Sequence, residues 1–362
     1  MKAAFLAKGW GTDRRSPLTA KKAGQLQVMP YFALIGLAGG IASAVLFMSA
    51  IAGGPMGRVL LYFLAPLPSF LAGLGWGAPS ALVAAFTAAA GIGFVLGGVW
   101  PAFVFLVSQG LPIVILCHLA LLNRPIGTPS ADEDGTAVAP PVEWYPVGRL
   151  VAAGAIIAGS LSVMSLFMLG GDLDHVRNSL REMVEKVFAE DLAALRDKPL
   201  TREEIDALAQ LGLYLLPAAS ATSWLAGFSL NLWLAGRITH ASGRLARPWP
   251  DLAAMTFPPG MAWGMAIAIA FTFLPGYPGL ISSGFAGALL FAYMMMGLAI
   301  IHYVTRGKPH RPLILWSVYF LLLLFNSWMA ALIALVGLAE PISPLKRWRR
   351  PPSGPPAKRD PD

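Results

Sequence analysis

Apolar residues occur along the chain in blocks of about twenty, separated by short polar or charged segments. An α-helix of that length crosses the hydrocarbon core of a membrane. The block over 59–122 is long enough for three crossings, with breaks expected near 75–79 and 97–101, where Gly and Pro cluster beside Trp. The other blocks cover about 31–52, 149–169, 211–235, 259–274, 279–304 and 312–339. The pattern predicts an all-α, polytopic transmembrane helical bundle of about eight or nine spans.

The segment between spans five and six has a different pattern. From Asp172 to Gln210, apolar residues recur at helical spacing with charged residues between them. Pro199 interrupts this pattern, and Thr201 followed by Glu204 is typical of a capping box at a helix start. We therefore expect two short amphipathic helices in an extracytoplasmic insert over 171–210, lying on the membrane surface or folded over the bundle.

The last apolar block leaves two interpretations open. At about 28 residues it is long for one span and short for two. With the N-terminus in the cytoplasm, nine simple spans would place the basic tail outside, against the usual charge bias. Either this block is a bent or re-entrant hairpin around Asn326 and Ser327, or another block does not cross. We divide the chain into a basic cytoplasmic N-terminal segment (1–29), a transmembrane domain (30–340) and a disordered, basic, Pro-rich tail (341–362).

Composition supports this class and limits the partners. Hydrophobic residues make up 56% of the chain and charged residues only 13%, too few to cover a soluble domain of this size. The formal net charge is +8, and the basic residues lie in the tails and short loops, as the positive-inside rule requires of cytoplasmic segments. We expect a multi-pass protein of the bacterial inner membrane that contacts lipid and binds no nucleic acid.

Catalytic and metal-binding signatures are missing from the sequence. No Asp, Glu, Lys or Arg lies in the middle of a predicted span, and no phosphate-binding loop, zinc-protease or serine-hydrolase motif occurs. The one cysteine, Cys117, excludes an intramolecular disulfide and a cysteine-based metal site. We therefore expect neither enzymatic activity nor a cofactor or metal.

Two groups of residues are candidates for binding. Asn231, Trp224 and Gln109 lie within predicted spans and are candidate ligand-binding residues. For Asn231 the favoured alternative is an interhelical hydrogen bond that fixes packing. Arg244, Arg247 and Trp249 lie in a proline-restricted loop that could contact a partner protein or a lipid phosphate. The alternative for this loop is an ordinary positive-inside loop with a Trp anchor.

Small residues and prolines predict how the helices pack. Four pairs of glycines spaced four residues apart would each place two glycines on one helix face for close internal packing. They begin at Gly36, Gly73, Gly93 and Gly260. Pro66 and Pro68 are expected to kink the second span.

Several short motifs resemble a known family. Ala65 to Pro68, Asn231 to Arg237, Arg247 to Pro250, Gly297 to His302 and Gly337 to Glu340 resemble the bacterial membrane protein family called domain of unknown function 2232, in its alphaproteobacterial form. The resemblance covers about residues 30–347 and implies no established activity. The family is distantly similar to the substrate-binding subunits of energy-coupling-factor transporters and to the rod-shape membrane protein of the cell-elongation machinery.

Two functions follow from these features. The first is a non-catalytic membrane protein that binds a small molecule in its bundle, as a subunit of an uptake system with partner subunits. The second is a membrane scaffold for envelope or cell-wall assembly, which would bind proteins and no ligand.

Overall fold

The computed structural model of the chain describes residues 17–52, 55–127, 130–131, 137–138, 140–168, 172–188 and 198–340. The tail 341–362 and the first sixteen residues of the basic N-terminal segment lie outside the described residues, so the predictions made for them stay predictions.

Helices make up most of the described chain. Their bounds are α1 Pro17–Ala52, α2 Pro55–Leu64, α3 Leu67–Trp76, α4 Ala78–Leu96, α5 Val99–Phe105, α6 Leu111–Leu121, α7 Val147–Met168, α8 Leu173–Met183, α9 Arg202–Ala241, α10 Met261–Thr272, α11 Tyr277–Val304 and α12 Arg311–Ala339. A π-helical turn, Leu106–Gly110, joins α5 to α6, another, Val184–Phe188, follows α8, and a 3₁₀ turn covers Leu252–Ala254.

Seven helical segments in the described chain are long and apolar enough to cross a membrane: Tyr31–Ile51, Gly57–Trp76, Ala78–Leu96, Val99–Leu121, Val147–Met168, Arg202–Ala241 and Tyr277–Val304. The all-α polytopic bundle and the three crossings within 59–122 are therefore confirmed. The breaks fall where Gly and Pro cluster. Gly77 and Gly97 follow α3 and α4 with φ of 93° and 73°, a backbone conformation that glycine adopts without steric cost.

We call one end of the bundle the loop face. It carries Trp76, the 122–146 connection, the 242–260 loop and the turn after α11. Two contacts define it. The guanidinium of Arg244 lies 5.5 Å from the centre of the Trp76 ring, and Arg306 forms an ion pair with Asp251. The α8 helix and the first turns of α9 and α11 lie at the opposite face, where Leu166, Leu213 and Leu280 pack in one cluster.

The chain between α9 and α11 runs from the loop face to the opposite face without a full-length helix. At twelve residues, α10 is about 18 Å long, shorter than the hydrocarbon core. The extended residues before it supply the remaining length. Met255 packs against Met296 and Ile300 near the end of α11, whereas Met265 packs against Tyr293 further along it. The predicted seventh span is therefore part helix and part extended chain.

The last apolar block forms one continuous helix, α12, of 29 residues. The hairpin interpretation around Asn326 and Ser327 is therefore wrong. Because α12 begins at the loop face and packs along α11, the described chain passes between the two faces nine times, and its first and last helices begin at the same face.

The insert between α7 and α9 is only partly as expected. The predicted capping box is present, since the Glu204 N–H donates to Thr201 Oγ1 (3.3 Å) and the Thr201 N–H donates to Glu204 Oε2 (2.9 Å). The helix that it starts is not short, however. It continues through the sixth span as the 40-residue α9, so the prediction of a second separate amphipathic helix is wrong. The first amphipathic helix is confirmed as α8, which packs on the start of α9.

The connection after α6 contains short strands that the sequence did not suggest. Strands Asn123–Pro125 (β1) and Val142–Trp144 (β4) pair antiparallel, as do Ser130–Ala131 (β2) and Ala137–Val138 (β3). Arg124 Nε donates to Glu143 Oε2 at 2.6 Å across the outer pair. This hairpin brings the start of α7 back beside the end of α6.

Only one of the four predicted glycine pairs behaves as expected. A Cβ atom on Gly36 would lie 2.7 Å from the Ser80 carbonyl oxygen, and one on Gly40 would lie 2.5 Å from that of Ala84, so these two glycines allow α1 to pack closely on α4. In the other three pairs one glycine has a positive φ at a helix end: Gly77, Gly97 and Gly260. In each of those pairs one glycine therefore lies at a helix end, and the two glycines do not share one helix face.

Candidate functional site

Asn231 lies at the middle of the bundle, where α9 crosses the break between α2 and α3. Its side chain is fully buried. The Nδ2 group donates to the carbonyl oxygens of Phe63 (2.5 Å) and Gly227 (2.7 Å). Phe63 is in the last turn of α2, where carbonyl groups lack partners within the helix, and the break follows because Pro66 cannot donate a backbone hydrogen bond. Asn231 therefore makes the interhelical hydrogen bond that the sequence left as an alternative.

Gln109 and Trp224 lie close to this crossing. Gln109, in the π-helical turn, donates from Nε2 to the Tyr62 hydroxyl at 3.4 Å. The Trp224 indole donates to the Ser108 carbonyl at 2.9 Å and stacks on Phe228 with ring centres 3.7 Å apart. The Oε1 atom of Gln109 and the Oδ1 atom of Asn231 have no hydrogen-bond partner among the described residues.

The space left between these side chains is small. A cavity of about 10 Å³ lies beside Tyr62, Gln109 and Trp224, which is about the space of one water molecule. Asn231 does not line it. The structure thus brings the three predicted ligand-binding residues to one crossing, and their role in ligand binding stays a prediction.

A larger apolar cavity opens at the loop face. Its volume is about 150 Å³, the size of an engineered protein cavity that binds benzene. The ends of α3, α6, α7 and α9 form its walls, and the 242–260 loop covers it. It is lined by Leu74, Leu116, Ala120, Leu121, Val147, Leu150, Val151, Gly154, Leu225, Phe228, Ser229, Leu232, Trp233, Gly236, Leu245, Arg247, Trp249, Pro250, Leu252 and Met295.

Arg247 provides the charged group of this cavity. Its Nη1 donates to the Ala120 carbonyl at 3.2 Å, which ties the loop to the end of α6. The side chain is half-buried, and this burial lowers the pKa of the guanidinium, because a charged group is disfavoured away from water. No carboxylate among the described residues lies within ion-pair distance of it.

Trp249 closes the cavity next to Arg247. Its ring packs on Gly236, where an added Cβ would lie 3.4 Å from the ring, and the guanidinium of Arg237 lies 5.1 Å from its centre. Asp251 follows immediately. It accepts from Arg306 Nη1 at 2.7 Å and from the Ala253 N–H at 3.1 Å, so the end of the loop is held against the turn after α11.

Arg244 takes no part in this cavity. It lies over Trp76 at the surface and does not line the cavity. Of the three loop residues predicted to contact a partner or lipid, Arg247 and Trp249 therefore share one site and Arg244 lies apart from it.

The α9 residues that line the cavity were not predicted from the sequence as binding residues. Leu225, Ser229, Leu232 and Gly236 recur at helical spacing, on the stripe next to the one that contains Asn231. That spacing was visible in the sequence, but it does not distinguish a cavity wall from an ordinary core face.

A second recess, of about 390 Å³, lies between α7, α10 and α11. Apolar side chains such as Ile156, Ile267 and Phe285 line it, together with Ser282. It has no charged group, and it therefore offers nothing that would orient a polar ligand. Among the described residues, no three His, Cys, Asp or Glu side chains come close enough together to bind a metal ion.

Comparison with known proteins gives one match. No curated protein and no solved structure matches the chain. The family described as "Predicted membrane protein (DUF2232)" matches residues 41–340, a range that includes α2 to α12, the crossing at Asn231 and the cavity at the loop face. The chain therefore belongs to this family of predicted membrane proteins.

Proposed function

We propose that this protein is a non-catalytic membrane protein that binds a small molecule in the cavity at the loop face, as a subunit of a transporter. The observation that carries the proposal is the 150 Å³ cavity itself. Protein interiors are packed at nearly crystalline density and rarely leave voids larger than a water molecule. An apolar cavity with one charged group at its mouth has the composition of a ligand site.

The cover of the cavity supports the same function. The loop from Leu245 to Leu252 contributes five of the lining residues, and two polar contacts tie it to the bundle: the Arg247 hydrogen bond to Ala120 and the Asp251 ion pair with Arg306. Leu245 and Trp249 also pack on the bundle, so a movement of the loop that breaks these contacts would open the cavity. A ligand would enter and leave by that movement.

The test is extraction of the full chain from native membranes in mild detergent, followed by mass spectrometry of bound small molecules and co-purifying proteins. The control pair is Ser229→Phe, which places a benzene-sized ring in the cavity, and Leu230→Phe, at the neighbouring exposed position. We expect a stoichiometric small molecule in the wild type and in Leu230→Phe, and none in Ser229→Phe. An empty wild-type protein, or retention of the molecule by Ser229→Phe, would overturn the proposal.

A second candidate function is a scaffold for envelope assembly. The observation that favours it lies at the opposite face, where α8 packs on the first turns of α9 and carries the ion pairs Arg177–Asp174 and Arg181–Asp206. This polar surface extends the bundle and could dock a protein. In the same extraction, this function predicts co-purifying envelope proteins and an empty cavity.

A further inference from the structure

We infer that the ligand of the loop-face cavity is an organic anion: a carboxylate or phosphate held by Arg247, attached to an apolar body of about one ring in size. This inference rests on the proposed function, because it names the class of ligand for the same cavity.

The charges around the cavity mouth favour an anion. Three arginines, Arg237, Arg244 and Arg247, lie in or next to the loop, and no carboxylate among the described residues forms an ion pair with any of them. The one acidic residue of the loop, Asp251, is already paired with Arg306, and that interaction holds the pKa of its carboxyl group below the usual value. The mouth therefore has uncompensated positive charge.

Arg247 differs from the other two arginines in position. Arg237 and Arg244 lie over the faces of Trp249 and Trp76 and are exposed. Arg247 lines the cavity and is half-buried, and the Ala120 carbonyl accepts from one of its five N–H groups. A half-buried guanidinium without a counter-ion is costly, and a bidentate carboxylate or phosphate would offset that cost.

The size of the cavity limits the other part of the ligand. Below Arg247 the walls are aliphatic and aromatic, with Leu116, Val151 and Leu225 on three different helices. A cavity of about 150 Å³ accommodates a benzene-sized group. Both a soluble aromatic acid and an anionic lipid, whose phosphate is attached to acyl chains, combine an anion with an apolar group, so the experiment must separate the two sources.

The first experiment measures affinity from the shift in melting temperature of the purified full chain, because a ligand that binds only the folded state stabilises it by an amount that grows with the ratio of its concentration to its Kd. The probes are benzoate and phenyl phosphate, with benzyl alcohol as the uncharged analogue. The variants are Arg247→Gln and, as the matched control in the same loop, Arg244→Gln. Each variant is compared with its own ligand-free melting temperature, so loss of the hydrogen bond to Ala120 is taken into account.

We expect the wild type and Arg244→Gln to bind both anions more tightly than benzyl alcohol. Arg247→Gln should weaken anion binding about tenfold or more, because a hydrogen bond to a charged group is worth about 1.5–3 kcal/mol, and should leave benzyl alcohol unaffected. Arg247→Lys should recover part of the loss, since it keeps the charge without the bidentate geometry. Equal effects of the two Gln variants would overturn the inference.

Ser229→Phe separates the two proposals. If it abolishes binding of all three probes while Arg247→Gln changes none, the cavity is a ligand site but its ligand is not an anion. If Ser229→Phe leaves binding intact, the cavity is not the site and both proposals fail.

A second set of melting-temperature measurements, on the full chain in nanodiscs, distinguishes a soluble anion from an anionic lipid. With phosphatidylcholine alone, benzoate should raise the melting temperature of the wild type. If an anionic lipid is the natural occupant, adding phosphatidylglycerol should suppress that response by competition, and Arg247→Gln should remove the lipid's own stabilising effect. If a soluble anion is the occupant, phosphatidylglycerol should leave the response unchanged.

Discussion

Asn231 places a primary amide against a helix break that needs a hydrogen-bond donor. The amide donates to Phe63 and Gly227 from the same nitrogen, and its side chain is enclosed on all sides. The prediction from the sequence that Asn231 is a polar residue within a span is correct. It could not show that the break at Pro66, about 165 residues away along the chain, would supply its partner.

We predict that Asn231→Leu lowers the stability of the bundle and leaves ligand affinity unchanged. Loss of the interhelical hydrogen bond, with the Phe63 carbonyl left without its donor, should cost about 1–2 kcal/mol. Reversible unfolding in mixed micelles measures the stability, and the benzoate titration measures the affinity. Ser223→Ala, at a more exposed position on α9, is the control. Weaker binding at unchanged stability would instead make Asn231 a ligand contact, as the sequence allowed.

Asp251 joins the end of the loop to the turn after α11 through its ion pair with Arg306. Its pKa is lowered chiefly by the hydrogen bond from Arg306, so the pair stabilises the closed loop above the unfolded-state pKa of about 3.9. That contribution is lost as the pH falls through the lower pKa of the folded state. Because the pair stays ionised between about pH 5 and 8, the rate of ligand dissociation should not change over that range through titration of Asp251.

Asp251→Asn at neutral pH removes the charge that acid would remove. We predict a several-fold faster dissociation of benzoate, measured by stopped-flow tryptophan fluorescence, because the loop opens more easily. Asp174→Asn breaks an exposed ion pair at the opposite face and should have no effect on the rate. An unchanged rate in Asp251→Asn would show that the pair does not limit opening.

At the scale of elements, α12 is attached to the bundle through close contact with α11. A Cβ atom on Gly297 would overlap the Ile333 carbonyl, and one on Gly337 would overlap the Tyr293 carbonyl. The two backbones can approach this closely only because both positions are glycine. Much of the rest of α12 is apolar and exposed, including Trp316, Leu323 and Trp328.

Gly297→Leu should therefore separate α12 from α11. We expect a loss of about 1–3 kcal/mol or more in unfolding free energy, the usual cost of overpacking, together with faster proteolysis of the 305–311 turn. Gly264→Leu is the matched control, because nothing lies within 4 Å of an added Cβ there. Similar stability for both variants would contradict this account of how α12 is held.

The existence of the helices was more predictable from sequence than their limits. Blocks of apolar residues indicated each pass, and Gly77 and Gly97 end helices where the sequence indicated breaks. The sequence pattern divides the 40-residue α9 in two because its first turns are charged whereas the residues from Leu211 onward are apolar, and such a change of pattern indicates a boundary between a surface helix and a span. The cavity was missed for a different reason: its walls come from α3, α6, α7 and α9, and no local pattern records where distant helices leave space.

At the scale of the whole molecule, the described chain passes between two faces that differ in charge. The loop face has the unpaired arginines and the cavity mouth, whereas the opposite face has α8 and its ion pairs. From the positive-inside rule we propose that the loop face lies in the cytoplasm. The cavity would then open toward the cytoplasm, with α8 outside.

Cysteine labelling in intact cells tests this orientation. Cys117 is fully buried and is the one cysteine of the chain, so single cysteines can be introduced without removing it. We predict that Lys198→Cys and Arg202→Cys react with a membrane-impermeant maleimide, whereas Ser242→Cys and Lys308→Cys react only after the membrane is permeabilised. The wild type is the control for background labelling, and the reverse pattern would invert the assignment.

The length of α9 has a mechanical consequence. Forty residues form a rod of about 60 Å, twice the thickness of the hydrocarbon core, with the cavity wall near one end and α8 at the other. Pro217 lies between them, where the helix lacks one of its own backbone hydrogen bonds, and its carbonyl accepts from Ser162 Oγ of α7 at 2.8 Å. Because the same continuous helix forms a wall of the cavity and supports α8, a change in its tilt at the cavity would also displace α8 at the opposite face.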